Sequence, residues 1–451
     1  MVKCVKYIML MLAVGLILPM MQVSCVKEAG FLNGDEAMLR FSTDTVAFDT
    51  VFTTMGTTTR RFKVYNPHDQ AVLINSVTLR KGMQSRFRLN VDGDTNMVAR
   101  NLHIAPGDSM FVFVRVNVNP NSETEPFIIE DAIVMEWKDS TKRVPLTAWG
   151  RNAVYHVPTD TIHYADGTPL MDMFGNPYAY SVIDCDNWRH DLPHVVVGYA
   201  VVDSRNTLHL TEGDELYFCN DAVLWVYDSA TLDVRGTKDG PVLFTSVRHD
   251  GWYDDLPGQW GMVWLSQGSV NNVIDYAVVE NGFVGLQADS NANNNATLTI
   301  SNTIVRNHTL AGLLCNTAVV HGDNVLVVNC GTATVALQYG GSYVFENCTF
   351  ADYWRYDARR YPSVQVSNYR DYGGIHYVWD LNARFTDCII YGTRAEELWV
   401  DLDNHATATC VVDHCLVKGG EWDEDPLFTD VDEGDYSLQE DSPAKGIGYG
   451  G

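Results

Sequence analysis

Hydrophobic and polar positions alternate with period two through the first third of the chain. In Arg61-Phe62-Lys63-Val64-Tyr65 the alternation is stopped by Asn66-Pro67, and further on Met110, Val112, Val114, Val116 and Val118 form one face while Phe111, Phe113, Arg115 and Asn117 form the other. Strands of this kind, separated by turn residues every 8 to 15 positions, predict a β-sandwich over residues 41–150. Residues 151–204 have little periodicity and read as a connector and cap. From 205 to 451 the pattern repeats: a polar residue, a small one, then an apolar strand recur at Asp275-Tyr276, Asn302-Thr303, Asn329-Cys330, Asn347-Cys348, Asp387-Cys388 and His414-Cys415, at intervals of 27, 27, 18, 40 and 27. Intervals in the twenties, rich in β-branched residues and without a helical period, predict the coils of a β-solenoid.

Stacked coils lie about 4.8 Å apart, so equivalent side chains form ladders. Asn at a tight turn tolerates the left-handed backbone and bonds its neighbours above and below. Asn302, Asn329 and Asn347 are therefore read as structural, with Asp275, Asp387 and His414 substituting in the same ladder. Cys330, Cys348, Cys388 and Cys415 fall at one repeat position, where parallel Cβ vectors stay too far apart for disulfides, so they are expected to be buried thiols.

The segments KVYNPHDQAVLINSV, IAPGDSMFVFVRVNVNP and LTAWG resemble immunoglobulin-like domains of the ASH and hydin type. LHLTEGDELYF, RGTKDGPVLFTS, PGQWGMVW and the tail DPLFTDVDEGDYSLQEDSPAKGIG resemble right-handed parallel β-helix proteins of the pectin-lyase-like superfamily. The expected fold is thus all-β: an N-terminal sandwich followed by a right-handed parallel β-helix. That superfamily holds lyases, hydrolases, adhesins and proteins without activity, so the resemblance implies a fold and no chemistry.

Residues 1–24 carry Lys3 and Lys6, an apolar run from Tyr7 to Met21 and a small-residue exit, the pattern of a secretory signal too short to span a membrane. Cys25 after that exit resembles the acylated cysteine of a bacterial lipobox, with Gln22 departing from the usual Leu. Residues 25–40 then form a tether, and Val26-Lys27-Glu28 resembles an export tag of surface lipoproteins. The expected address is the outer membrane, on the cell surface, through a lipid anchor.

The formal net charge is -26, which disfavours nucleic acid and anionic surfaces as partners. None of the 13 His is followed by Glu, which excludes an HExxH zinc site, and the chain has no Walker A loop, GxSxG elbow or CxxC pair. Asp401 and Asp403 share a face if WVDLDN is a strand, and with Asn404 they offer oxygens for calcium. Asp254 and Asp255 are the other acid pair considered for catalysis, although adjacent loop acids are usually just solvated.

The 40-residue interval holds a better candidate. Residues 351–379 combine Tyr353, Trp354, Tyr356, Tyr361, Tyr369 and Tyr372 with Arg355, Arg359, Arg360 and Arg370 on an otherwise acidic chain. Aromatic faces stack on sugar rings and Arg forks hold hydroxyls or carboxylates, so these ten residues form the predicted ligand site. The alternative is an insertion folded down on the solenoid. Three functions follow: a non-catalytic, monomeric surface lipoprotein that recognises a glycan or a surface protein; a polysaccharide lyase or glycoside hydrolase using acids and Arg on the β-helix; or a structural envelope component.

Overall fold

The computed structural model describes residues 31–32, 38–53, 59–118, 127–138, 140–171, 177–248, 251–290 and 296–450. Cys25 and the expected signal segment lie outside the described residues. The chain divides after Arg151 into two compact units.

The first unit has nine strands: β1 Arg40–Phe41, β2 Val46–Phe52, β3 Arg60–Tyr65, β4 Val72–Leu79, β5 Phe87–Val91, β6 Val98–Ile104, β7 Ser109–Val116, β8 Phe127–Trp137 and β9 Ser140–Arg151. They form two sheets, β1-β3-β7-β5 and β2-β9-β8-β4-β6, with β2 and β9 the one parallel pair among them. The alternation in β7 is realised as read: Met110, Val112, Val114 and Val116 are buried between the sheets. The stop signal after β3 also has a cause. Asn66 is buried, and its Nδ2 donates to the carbonyl oxygens of Gln70, Ile104 and Ala105 at 2.7, 3.0 and 3.1 Å, tying the end of β3 to the end of β6.

The second unit is a parallel β-helix of three sheets. One runs from Val154–His156 to Leu416–Val417, the second from Asp160–Thr161 to Leu398–Asp401 and the third from Thr207–Thr211 to Ala408–Asp413. Parallel pairing begins at Val154–His156 against His194–Val196, so residues 151–204, read as a connector and cap, already supply strands to two of the sheets. The core is a stack of inward rows such as Val234, Ile274, Ile300, Gly322, Phe345 and Phe385.

The Asn ladder is present, but two rungs of the sequence alignment belong elsewhere: Asp275 pairs with Ser301, one residue before the bend, and Asn329 lies outside this turn. The turn between the third and first sheets holds positive φ at Tyr276, Asn302, Asn324, Asn347, Asp387 and His414. Asn302 Nδ2 donates to Asp275 Oδ1 at 2.8 Å, and Asn324 Nδ2 to Asn302 Oδ1 at 2.8 Å. Asn329 belongs to a second ladder at the next bend, with Asn281 and Asn307, all at positive φ. Two bends per coil demand a left-handed residue, so matching on Asn alone selects either. Cys330 leaves the alignment with Asn329. Cys348, Cys388 and Cys415 do stack: the Cys388 amide donates to Cys415 Sγ at 3.3 Å. All four are buried and unbridged, and burial pushes the Cys330 and Cys388 thiols well above their usual range.

The outer faces of the three sheets differ. The first is covered by the chain's last segment, where Phe428, Tyr436, Ala444 and Ile447 pack on Leu326, Val328, Ala351, Ile389 and Leu416. The third is charged, with His209 and Arg235 both bonded to Asp233 at 3.0 and 2.8 Å. The second carries tryptophan.

Candidate ligand-binding face

Strands of the second sheet present every other residue outward, and equivalent outward residues stack in register. One such row runs Trp225, Trp264, Gln287, Leu314, Ala336, Gln365 and Trp399. Trp225 and Trp264 lie with ring centroids 5.0 Å apart and planes 12° from parallel, the spacing the coils impose. Tyr199 and Tyr227 meet Trp225 edge-on at 6.3 and 5.2 Å, extending the aromatic surface. A polar row runs beside it: Asp289 Oδ2 accepts from Trp264 Nε1 at 2.7 Å, while Asp289 Oδ1 accepts from Gln287 Nε2 at 3.1 Å and Asn316 Nδ2 at 2.8 Å. Trp225 Nε1 is shielded from solvent and has no hydrogen-bond partner among the described residues.

Long connections rise at both edges of this sheet. Residues 251–261 and 353–363 precede its strands Met262–Leu265 and Val364–Ser367, and residues 368–380 leave it. Tyr356 OH donates to the Asp255 carbonyl at 2.7 Å, joining the two entering loops.

The ten predicted ligand residues do not form one platform. They divide at strand Val364–Ser367, which lies between the loop before it and the hairpin after it. On the entering side Tyr353 is half-buried, with Phe428 and Tyr436 at centroid distances of 6.4 and 6.2 Å. The ring of Trp354 lies over Gly331, where a Cβ would meet it at 3.1 Å, and packs edge-on against Tyr356 at 5.0 Å. Arg355 donates to the Asp432 carbonyl at 3.2 Å, while Arg360 and Tyr361 are exposed.

Arg359 is a correction. Its side chain is only 4% exposed and lies between Asp352 and Glu397, both fully buried: Nε is 3.0 Å from Asp352 Oδ2, and the two terminal nitrogens are 2.5 and 2.7 Å from the Glu397 oxygens. Ser363 donates through both its amide and its hydroxyl to Glu397, at 2.9 and 2.8 Å. Burial raises the Asp352 carboxyl to about 6 against the pull of Arg359, whereas in Glu397 burial is outweighed by the bonds from Arg359, the Arg394 amide and Ser363 together, which hold it below its ordinary value. This guanidinium is consumed inside the fold.

On the leaving side Tyr369–Tyr372 pairs with Ile375–Val378 as a hairpin. Tyr372 is 66% exposed, and Arg370 lies over its ring and that of Tyr339 at 4.9 and 5.3 Å. The hairpin takes up both acids considered for calcium and catalysis. Tyr369 OH donates to Asp401 Oδ2 at 2.6 Å, and His376 bridges Asp371 Oδ1 and Asp403 Oδ2 at 2.7 and 2.9 Å. Asp403 Oδ1 is held by the ring and amide of His405 at 2.6 and 2.8 Å. The oxygens that calcium would need at Asp401 and Asp403 are thus engaged by Tyr369, His376 and His405, and among the described residues no group of His, Cys, Asp or Glu is disposed to hold a metal ion. Asp254 and Asp255 are exposed, and their carbonyls rather than their carboxylates serve the fold, accepting from Asn281 and Tyr356.

Hydrogen bonds to Asp371 and Asp403 raise the His376 pKa, so the clasp is complete below the imidazole's ordinary value of 6.5 and is lost as pH rises through the elevated one. Amide exchange across Tyr369–Val378, corrected for intrinsic rate, should therefore quicken at alkaline pH in the native protein. In a His376→Gln variant it should already be fast at pH 6; equal protection in both proteins at both pH values contradicts the clasp.

Sequence reasoning passed over Tyr199, Trp225, Trp264 and Asp289. A signal was present: Leu224-Trp225-Val226 and Val263-Trp264-Leu265 each set a Trp between two core residues, which in a solenoid strand points it outward.

No protein-family model and no curated sequence matches this chain. Among solved structures, a family 123 glycoside hydrolase from Clostridium perfringens aligns at 8% identity and a TM-score of 0.19, over 25% of this chain and 26% of that one. The periplasmic chaperone SfaE aligns at 11% identity and 0.19, over 26% and 58%. The ASH/PapD-like domain 7 of human CEP192 aligns at 11% identity and 0.18, over 27% of this chain and 95% of that domain.

Proposed function

We propose that this protein is a non-catalytic surface lipoprotein, anchored through Cys25, whose pectin-lyase-like β-helix recognises a glycan along the outer face of its second sheet. The observation that carries this reading is the Trp225–Trp264 stack with its adjoining Asp289, Gln287 and Asn316 row. Ring edges and outer faces supply apolar contact for sugar C–H groups, and the amides and carboxylate beside them meet hydroxyls. Of the three outer faces, one is covered by the chain's own last segment and another is charged, whereas this one is aromatic and flanked by long loops. A neutral or weakly charged glycan fits best, because a chain of net charge -26 repels polyanions.

Screening the full chain on a glycan array should give retention on a defined set of sugars. Trp225→Ala should then weaken binding by about 1–2 kcal/mol, or roughly five- to thirtyfold. Unchanged affinity with an intact fold rejects the face. Cys25→Ala should release the protein from the membrane fraction; continued sedimentation with membranes argues against the anchor.

A further inference from the structure

The sandwich carries a face whose charge is opposite to that of the chain. Outward positions on β3, β7 and β5 include Arg61, Lys63, Arg88 and Arg115, with Phe111 and Phe113 between them. No Asp or Glu occupies an outward position of these three strands. Phe111 and Phe113 stack at 5.8 Å, and Lys63 and Arg61 lie over the Phe111 ring at 4.6 and 5.7 Å.

Arg88 and Arg115 stand directly opposite each other across β5 and β7. Like charges at directly opposed positions destabilise a sheet. Arg88 Nη1 is fixed by the carbonyl oxygens of Ser85 and Phe87, both at 2.8 Å, while Nε and Nη2 make no bond among the described residues. The Arg115 side chain makes no hydrogen bond or ion pair among them. The nearby Asp94 carboxylate is engaged by the Asn96 side chain at 2.7 Å rather than by either guanidinium. Both arginines, with Asn90, Asn96 and Phe113, line a recess of about 550 Å³ at this edge of the sheet.

We infer that this recess binds a phosphate monoester, with the two guanidiniums on the phosphate and the organic part against Phe113. The charge count selects phosphate: a monoester carries about -1.5 to -2 near neutrality, matching two arginines, whereas a carboxylate leaves one unneutralised. The volume admits a sugar phosphate or the headgroup of an anionic amphiphile, and both present the same group.

The test uses the full chain at constant ionic strength. Thermal unfolding and calorimetric titration are run with glucose 1-phosphate, with acetate, and with phosphatidylcholine vesicles with and without phosphatidic acid. Glucose 1-phosphate should raise the unfolding midpoint and acetate should not; a response confined to phosphatidic acid vesicles assigns the group to a headgroup. Arg115→Gln should lower phosphate affinity about ten- to hundredfold while leaving the unliganded midpoint unchanged or higher, because a repulsion is removed. Arg115→Lys should fall between the two, keeping the charge without the fork. No response to either phosphate probe, an equal response to acetate, or unchanged affinity in Arg115→Gln overturns the inference.

Discussion

Lowering the pH from neutrality to about 4 is expected to cost the β-helix on the order of 6 kcal/mol net, because three of its histidines are held neutral in the fold. His194 donates from Nε2 to the Arg189 carbonyl at 2.8 Å, so its Nδ1 accepts from His156 Nε2 at 2.9 Å, with Trp188 stacked on the His194 ring at 3.4 Å. Adding a proton sets two N–H groups head to head. His308 is equally committed: Nδ1 accepts from the Gly282 amide and Nε2 donates to the Val279 carbonyl, both at 3.1 Å. Burial lowers His156 and His308 from 6.5 to about 4 and His194 to about 3. The folded state therefore binds fewer protons than the unfolded chain below 6.5, and the stability these groups contribute above 6.5 is lost as pH falls toward 4.

Asp352 works in the other direction, since its carboxyl is raised by burial to about 6, and it offsets roughly one of the histidines. Urea unfolding followed at pH 7 and pH 4.5 should show the midpoint fall. Equal midpoints would mean that the histidines titrate as freely in the fold as outside it.

The second large effect is expected at Arg359. Replacing it by Met leaves Asp352 and Glu397 buried without their cation, which typically costs about 3–5 kcal/mol. Changing Asp352 to Asn and Glu397 to Gln in the same protein should recover much of that loss, because the desolvated charges disappear with their partner. Denaturant midpoints of the single and triple variants measure both steps. A ligand-contacting arginine predicts the reverse pattern: an unchanged midpoint in Arg359→Met and no recovery from the companion changes.

The Arg359 result bears on how far the insertion was legible. Its composition, four arginines among tyrosines, marked residues 351–379 as unusual, yet composition does not distinguish a guanidinium facing a ligand from one neutralised inside the fold. The neutralising partner, Glu397, lies 38 residues beyond Arg359 and follows an intervening hairpin and three strands. Nothing local to Arg359 announces it. Asp401 and Asp403 are similar: their proximity in sequence suggested a shared site, whereas Tyr369, His376 and His405 take up their oxygens.

The solenoid itself was far more legible, because its determinants recur. Left-handed bends favour Asn and Asp, and inward rows need apolar residues, in coil after coil. Two rungs were misassigned: Asp275 stands one residue before Tyr276 at the bend, and Asn329 took the place of Asn324 because Asn302 and Asn307, and again Asn324 and Asn329, mark two bends of one coil.

The amino-acid sequence alone thus determined the period-two sandwich, the coil repeat and its buried rows, since each is a local backbone or burial requirement repeated along the chain. Tertiary structure decided which outer face stays open. Trp225 meets Trp264 only when successive coils stack, and the last segment removes another face from solvent only after folding back over it. Those contacts depend on side chains brought together across whole coils, which no short stretch of sequence encodes.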